Sequence, residues 1–121
     1  MKQIIKQIAV SVYTPITTVI LISIAINLNT LWNGFVYDDD TQVIRNLWIR
    51  DVKNLPGILF SNVWSFEMPM ISNYYRPLMY LVYMANYYLF GLEPWGWHLV
   101  NVLFHAGVTV MVFLVAERLF D

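Results

Sequence analysis

The sequence predicts an all-α integral membrane fold, in which two transmembrane helices are joined by a non-cytoplasmic loop bearing short interfacial amphipathic helices. Three observations predict it. Of the 121 residues, 59% are hydrophobic and only 12% charged, against about 25% charged in an ordinary soluble domain. Two long runs, within 8–28 and 97–117, are almost free of charge. Most of the remaining charge gathers between them, among aromatic residues. A soluble fold of this size cannot hide so much apolar surface. The net charge of −1 gives no footprint for nucleic acid. With no cysteine, disulfides, thiolate metal sites and cysteine nucleophiles are excluded.

The first span, 8–28, carries no charge and matches a hydrocarbon core of about 30 Å. Lys2 and Lys6 precede it and favour a cytoplasmic N-terminus. A cleaved signal peptide fits poorly, because the apolar run is too long and Ala25-Ile26-Asn27 is a poor cleavage site. Pro15 inside the span predicts a kink, its freed carbonyl being served by neighbouring helices.

The loop, 29–76, holds Asp38, Asp39, Asp40, Arg45, Arg50, Asp51, Lys53, Glu67 and Arg76. Its aromatics, from Trp32 to Tyr75, are too many for a disordered linker. Val43, Ile44, Leu47 and Trp48 suit one face of a short amphipathic helix, and Asn54 with Pro56 can open a second. The stretch 77–91 is uncharged but short for a span. Its tyrosines at 80, 83, 87 and 88 share one helical face. Tyrosine favours the headgroup boundary, so this helix is expected to lie in the interface, against membrane lipid. The second span, 97–117, then returns the C-terminus with Arg118 to the cytoplasm. The expected topology is multi-pass, with 29–96 periplasmic or luminal and both termini cytoplasmic.

Three features can carry chemistry. Asp38-Asp39-Asp40 follows the apolar Phe35-Val36-Tyr37. Adjacent carboxylates repel, so one can serve as a general base, or they can bind a divalent cation. A solvated acidic turn is the plain alternative. Arg76 at the membrane boundary can grip a phosphate with its planar fork, or stack on the neighbouring tyrosines. His98, Asn101, His105 and Thr109 form a polar stripe on the second span. Such a stripe faces protein, and hydrogen-bonded packing is commoner than a metal site at this spacing. Ser11, Thr14 and Thr18 of the first span offer a matching face.

Several motifs occur in one order: Asn33-Gly34-Phe35-Val36-Tyr37-Asp38-Asp39, Tyr75-Arg76-Pro77-Leu78, Asn86-Tyr87, Phe90-Gly91-Leu92, and His98-Leu99-Val100-Asn101 with His105. Together they resemble the N-terminal region of GT-C-type polytopic membrane glycosyltransferases, in particular the tetratricopeptide-repeat proteins similar to protein O-mannosyltransferases. The resemblance spans about 30–118. It implies transfer of a mannose-like sugar from a polyprenyl-phosphate donor to a hydroxyl on a protein or glycan acceptor. The family's acidic pair maps onto Asp38 and Asp39, with Asp40 at a variable position. Arg76 would then bind the donor phosphate, with His98, Asn101 and His105 in support. Members of the family continue through further spans and then helical repeats. The expectation for residues 1–121 is therefore a single N-terminal membrane segment of a larger enzyme, inactive on its own. A small non-enzymatic membrane protein with a docking loop is the competing expectation.

Overall fold

The computed structural model describes residues 2–67 and 72–120, with side chains from Tyr13 onward. Lys2, Lys6 and Ser11 therefore fall outside the described side chains, and Asp121 outside the described residues. The described residues are helical and turn-forming, without strands. Two compact units emerge, one of residues 1–32 with 98–121 and one of residues 33–97.

In the first unit, α1 (Lys2–Asn27) remains helical through Pro15 and tightens into a 3₁₀ segment, Leu28–Trp32. α4 (Pro94–Phe120) runs for 27 residues, about 40 Å at the usual rise. Stretches of both, Tyr13–Trp32 and Pro94–Phe120, are long and apolar enough to cross a membrane. They meet at a polar pair, Ser23 Oγ and Thr109 Oγ1, 3.4 Å apart. Ser23, Val102 and Ala106 are buried there. Thr109 thus finds its partner one face away from the expected Ser11–Thr14–Thr18 row. Its hydroxyl also donates to the His105 carbonyl at 2.8 Å.

The second unit is built on α3 (Pro77–Phe90), with α2 (Leu55–Phe60) beside it. Proline opens α3 as a missing N–H costs nothing there. Val43, Ile49, Ile58, Val63, Tyr80, Met84 and Trp97 form the core. Tyr80 donates its hydroxyl to the Val63 carbonyl inside that core. The Val63 amide bonds the Tyr74 carbonyl at 2.9 Å, and the Tyr75 hydroxyl the Leu59 carbonyl at 2.6 Å. These bonds hold the chain before α3 against α2. Arg50 lies 5.5 Å from the Tyr87 ring and donates to the Ile44 carbonyl.

The helix expected over residues 43–48 is replaced by a π turn, Asp40–Ile44, and a 3₁₀ turn, Trp48–Arg50. Asn46 is the cause. Fully buried, it donates to the Gln42 carbonyl at 3.1 Å and accepts from the Trp48 amide at 2.9 Å. That local competition with the helical ladder ends the helix. Val43 points inward while Leu47 is exposed. Asn54 precedes α2 as expected, but its side chain donates to the Trp48 carbonyl and leaves the helix uncapped.

α3 ends at Gly91, whose φ of +60° suits only glycine in practice. Trp97 Nε1 bonds the Gly91 carbonyl at 3.0 Å across this corner. Gly96 lies so close to Phe90 that an added Cβ would come within 2.2 Å of its ring. The corner therefore needs glycine twice, for different reasons, and it fixes Trp97 in the core.

Candidate functional site in the acidic turn

An edge-on contact between Phe35 and Trp97, with ring centres 5.7 Å apart, anchors the entry to the acidic turn. The chain then reverses. The Asp39 amide bonds the Val36 carbonyl at 3.1 Å and the Asp40 amide the Tyr37 carbonyl at 3.3 Å. Tyr37 is held at φ +51°, which non-glycine residues rarely adopt.

The three carboxylates have three different surroundings. Asp40 pairs with Arg45 Nε at 2.9 Å, on side chains 61% and 57% exposed. Arg45 also reaches Thr41 and Glu67. Asp39 is partly buried and accepts the Val36 amide at 3.0 Å, closing the turn on itself. Asp38 is exposed, and its carboxylate makes no hydrogen bond or ion pair among the described residues. It alone of the three has all its acceptor capacity unused.

Arg76 is exposed, and its guanidinium lies 4.6 Å from the Tyr74 ring centre. It forms no ion pair among the described residues. A guanidinium stacked by its face keeps its N–H edge available to an anion.

Tyr83 links these groups. Its ring packs edge-on between Tyr80, at 6.0 Å, and Trp97, at 5.4 Å. Burial pushes its hydroxyl pKa up; Asp39 and Asp38 push it further, while Arg76 pulls it down. The hydroxyl therefore lies within the field of all three residues expected to carry chemistry. Sequence reasoning placed Tyr83 only among the headgroup tyrosines. The spacing to Tyr80 was visible, but the approach of the acidic turn was not. Trp97, the other wall of Tyr83, was also missed, lying beyond the Gly91 corner.

His98, Asn101 and His105 lie on α4, in the other unit from the acidic turn. Asn101 and His105 are exposed. His98 Nε2 is buried without a hydrogen-bond partner among the described residues. No three His, Cys, Asp or Glu side chains among the described residues gather closely enough to hold a metal ion.

Comparison with known proteins gives a consistent set of relatives. Over 94 residues, 76% of this chain, it is 38% identical to Protein O-mannosyl-transferase Tmtc1 of Drosophila melanogaster, covering 11% of that protein. It is 33% identical over 110 residues, 89% of the chain, to Protein O-mannosyl-transferase TMTC3 of Mus musculus, covering 12% of that protein. Protein O-mannosyl-transferase TMTC2 of Homo sapiens is 36% identical over 90 residues, 73% of the chain and 11% of that protein. The chain thus spans about a tenth of the length of the curated relatives it matches. No family model and no solved structure matches.

Proposed function

We propose that this chain, a membrane protein similar in sequence to the protein O-mannosyl-transferases, supplies the acidic-turn part of a membrane glycosyltransferase site. The observation that carries the reading is the convergence of Asp38, Asp39 and Arg76 on the Tyr83 hydroxyl. The similarity suggests sugar transfer, and the turn offers the groups such a transfer uses.

The donor is a polyprenyl-phosphate sugar, and the acceptor a hydroxyl on protein or glycan. The acceptor oxygen attacks the anomeric carbon, and the bond from that carbon to the phosphate oxygen breaks. Asp38, with its carboxylate unengaged, takes the proton from the attacking hydroxyl. Arg76 meets the negative charge that develops on the departing phosphate. Asp39 keeps Asp38 in place through its bond to the Val36 amide. Tyr83 stays protonated, because burial and the two carboxylates both oppose its ionisation. It is therefore a hydrogen-bond donor beside the reacting groups. The turn lies on the periplasmic or luminal side, opposite cytoplasmic termini.

The test is mannose transfer from a polyprenyl-phosphate donor in membranes carrying the intact gene product. Arg76→Ala is expected to raise KM for the donor about tenfold or more, with Arg76→Lys intermediate, since lysine keeps the charge without the fork. An unchanged donor KM in Arg76→Ala would remove the phosphate role. Wild-type membranes that transfer no sugar from any polyprenyl-phosphate donor would remove the reading itself.

A further inference from the structure

The polar stripe on α4 was expected to pack against α1, and only Thr109 does so. Starting from Asn101, the residues on the uncovered face are His105, Val108, Val112, Val115 and Leu119. Their spacing is 4, 3, 4, 3, 4, a heptad seam rather than a general helical stripe. Asn101 and His105 are exposed, and the four apolar residues are each more than half exposed. At about 100° per residue, this seam is centred roughly 100° around the helix from Val102, Ala106 and Thr109, which face α1. The lower half of the seam borders a shallow groove of apolar residues only, Met111, Val112, Val115, Ala116, Leu119 and Phe120.

Lipid is a poor occupant for this face. The amide of Asn101 and the ring of His105 have hydrogen-bonding groups that acyl chains cannot serve, each costing several kcal/mol if left bare. The β-branched valines are stiff in a helix and pack with little loss of rotamer freedom. An amide is at once donor and acceptor, so two copies of Asn101 across a two-fold axis satisfy one another. Two copies inserted in one membrane run parallel along that axis, as a left-handed heptad seam requires.

We propose that α4 pairs in parallel with α4 of a second copy of this chain along Asn101, His105, Val108, Val112, Val115 and Leu119, with Asn101 setting the register. This pairing is independent of the glycosyltransferase reading, since the acidic turn takes no part in it.

The chain has no cysteine, so single cysteines report without background. Full-length protein, purified and reconstituted in phosphatidylcholine bilayers, would carry Val108→Cys, Val112→Cys or Val115→Cys on the seam. Leu103→Cys and Leu114→Cys, on the far side of the helix, serve as controls. Mild oxidation is expected to give at least about fivefold more disulfide-linked dimer at each seam position than at either control. Two differently tagged copies should appear in the same band. In bilayers, Asn101→Leu should weaken association about three- to twentyfold, as expected for an interhelical side-chain hydrogen bond, and Asn101→Gln should restore it. Helical circular dichroism confirms that each variant is folded. Folded protein whose seam cysteines remain monomeric, or crosslink no better than Leu103→Cys and Leu114→Cys, overturns the proposal. An Asn101→Leu variant that associates like wild type removes the register role and the proposal with it.

Discussion

Three adjacent aspartates, chemically identical in the unfolded chain, should give three different results when changed one at a time. Asp38→Asn removes charge while keeping size. Its carboxylate bonds to nothing among the described residues, so folding should be unaffected. If it is the base, transfer falls by about 10² to 10⁴, or roughly 2.7–5.5 kcal/mol of barrier. Asp39→Ala removes the acceptor of the Val36 amide at 3.0 Å. That loss costs about 1 kcal/mol of turn stability, and transfer falls because Asp38 is no longer held. Asp40→Asn breaks an ion pair whose side chains are 61% and 57% exposed, which contributes less than about 1 kcal/mol. It should transfer sugar at close to the wild-type rate. The assay is sugar transfer from a polyprenyl-phosphate donor in membranes, normalised to immunoblotted protein, with thermal unfolding in detergent run alongside. Asp38→Asn turning over at the wild-type rate would refute the base assignment. Equal losses in Asp38→Asn and Asp40→Asn would reduce the run to a generic acidic patch.

Other outcomes follow from the second unit and the spans. Tyr80→Phe leaves the Val63 carbonyl without its buried donor and should lower unfolding stability by about 1–3 kcal/mol, read from the thermal midpoint. Burial raises the Tyr80 pKa in the folded state, so the folded form holds that proton longer than the unfolded one. Its stability contribution is therefore complete below pH of about 10 and declines as pH rises beyond it, a decline that Tyr80→Phe should make shallower. Gly96→Ala places a Cβ about 2.2 Å from the Phe90 ring, so the corner must move. A loss of stability of at least 1–3 kcal/mol is expected, and a midpoint like that of wild type would show the corner to be loose. For topology, an impermeant thiol reagent outside the cell should label Ser61→Cys and spare Asp121→Cys; the reverse pattern would invert the orientation.

The long elements were legible because they rest on one-dimensional signals. Absence of charge marked both helices that can span, and Pro77 with Gly91 bounded α3 before any contact was known. What sequence patterning could not supply was the outcome of local competition. Val43, Ile44, Leu47 and Trp48 carry helical spacing, yet one buried asparagine with two backbone bonds overrides it. Tyr83 illustrates a second blind spot. Its spacing to Tyr80 puts it on the correct face, but its relation to Asp38, Asp39 and Arg76 spans residues 38–83 and exists only once the loop is folded.

The same limit explains why equal residue types acquire unequal roles. In the acidic turn, the backbone reversal at Tyr37 presents the Val36 amide to Asp39, leaving the preceding carboxylate outside that bond. Arg45, at the end of the π turn, then engages Asp40. Removing Arg45 should therefore free Asp40 while leaving the Asp39–Val36 bond and Asp38 as they are. On α4, His105 and Thr109 are one turn apart, yet only Thr109 bonds across to Ser23. About 40° of helical rotation separates the two. That offset divides the polar stripe between a contact already made with α1 and a face still presented to a partner.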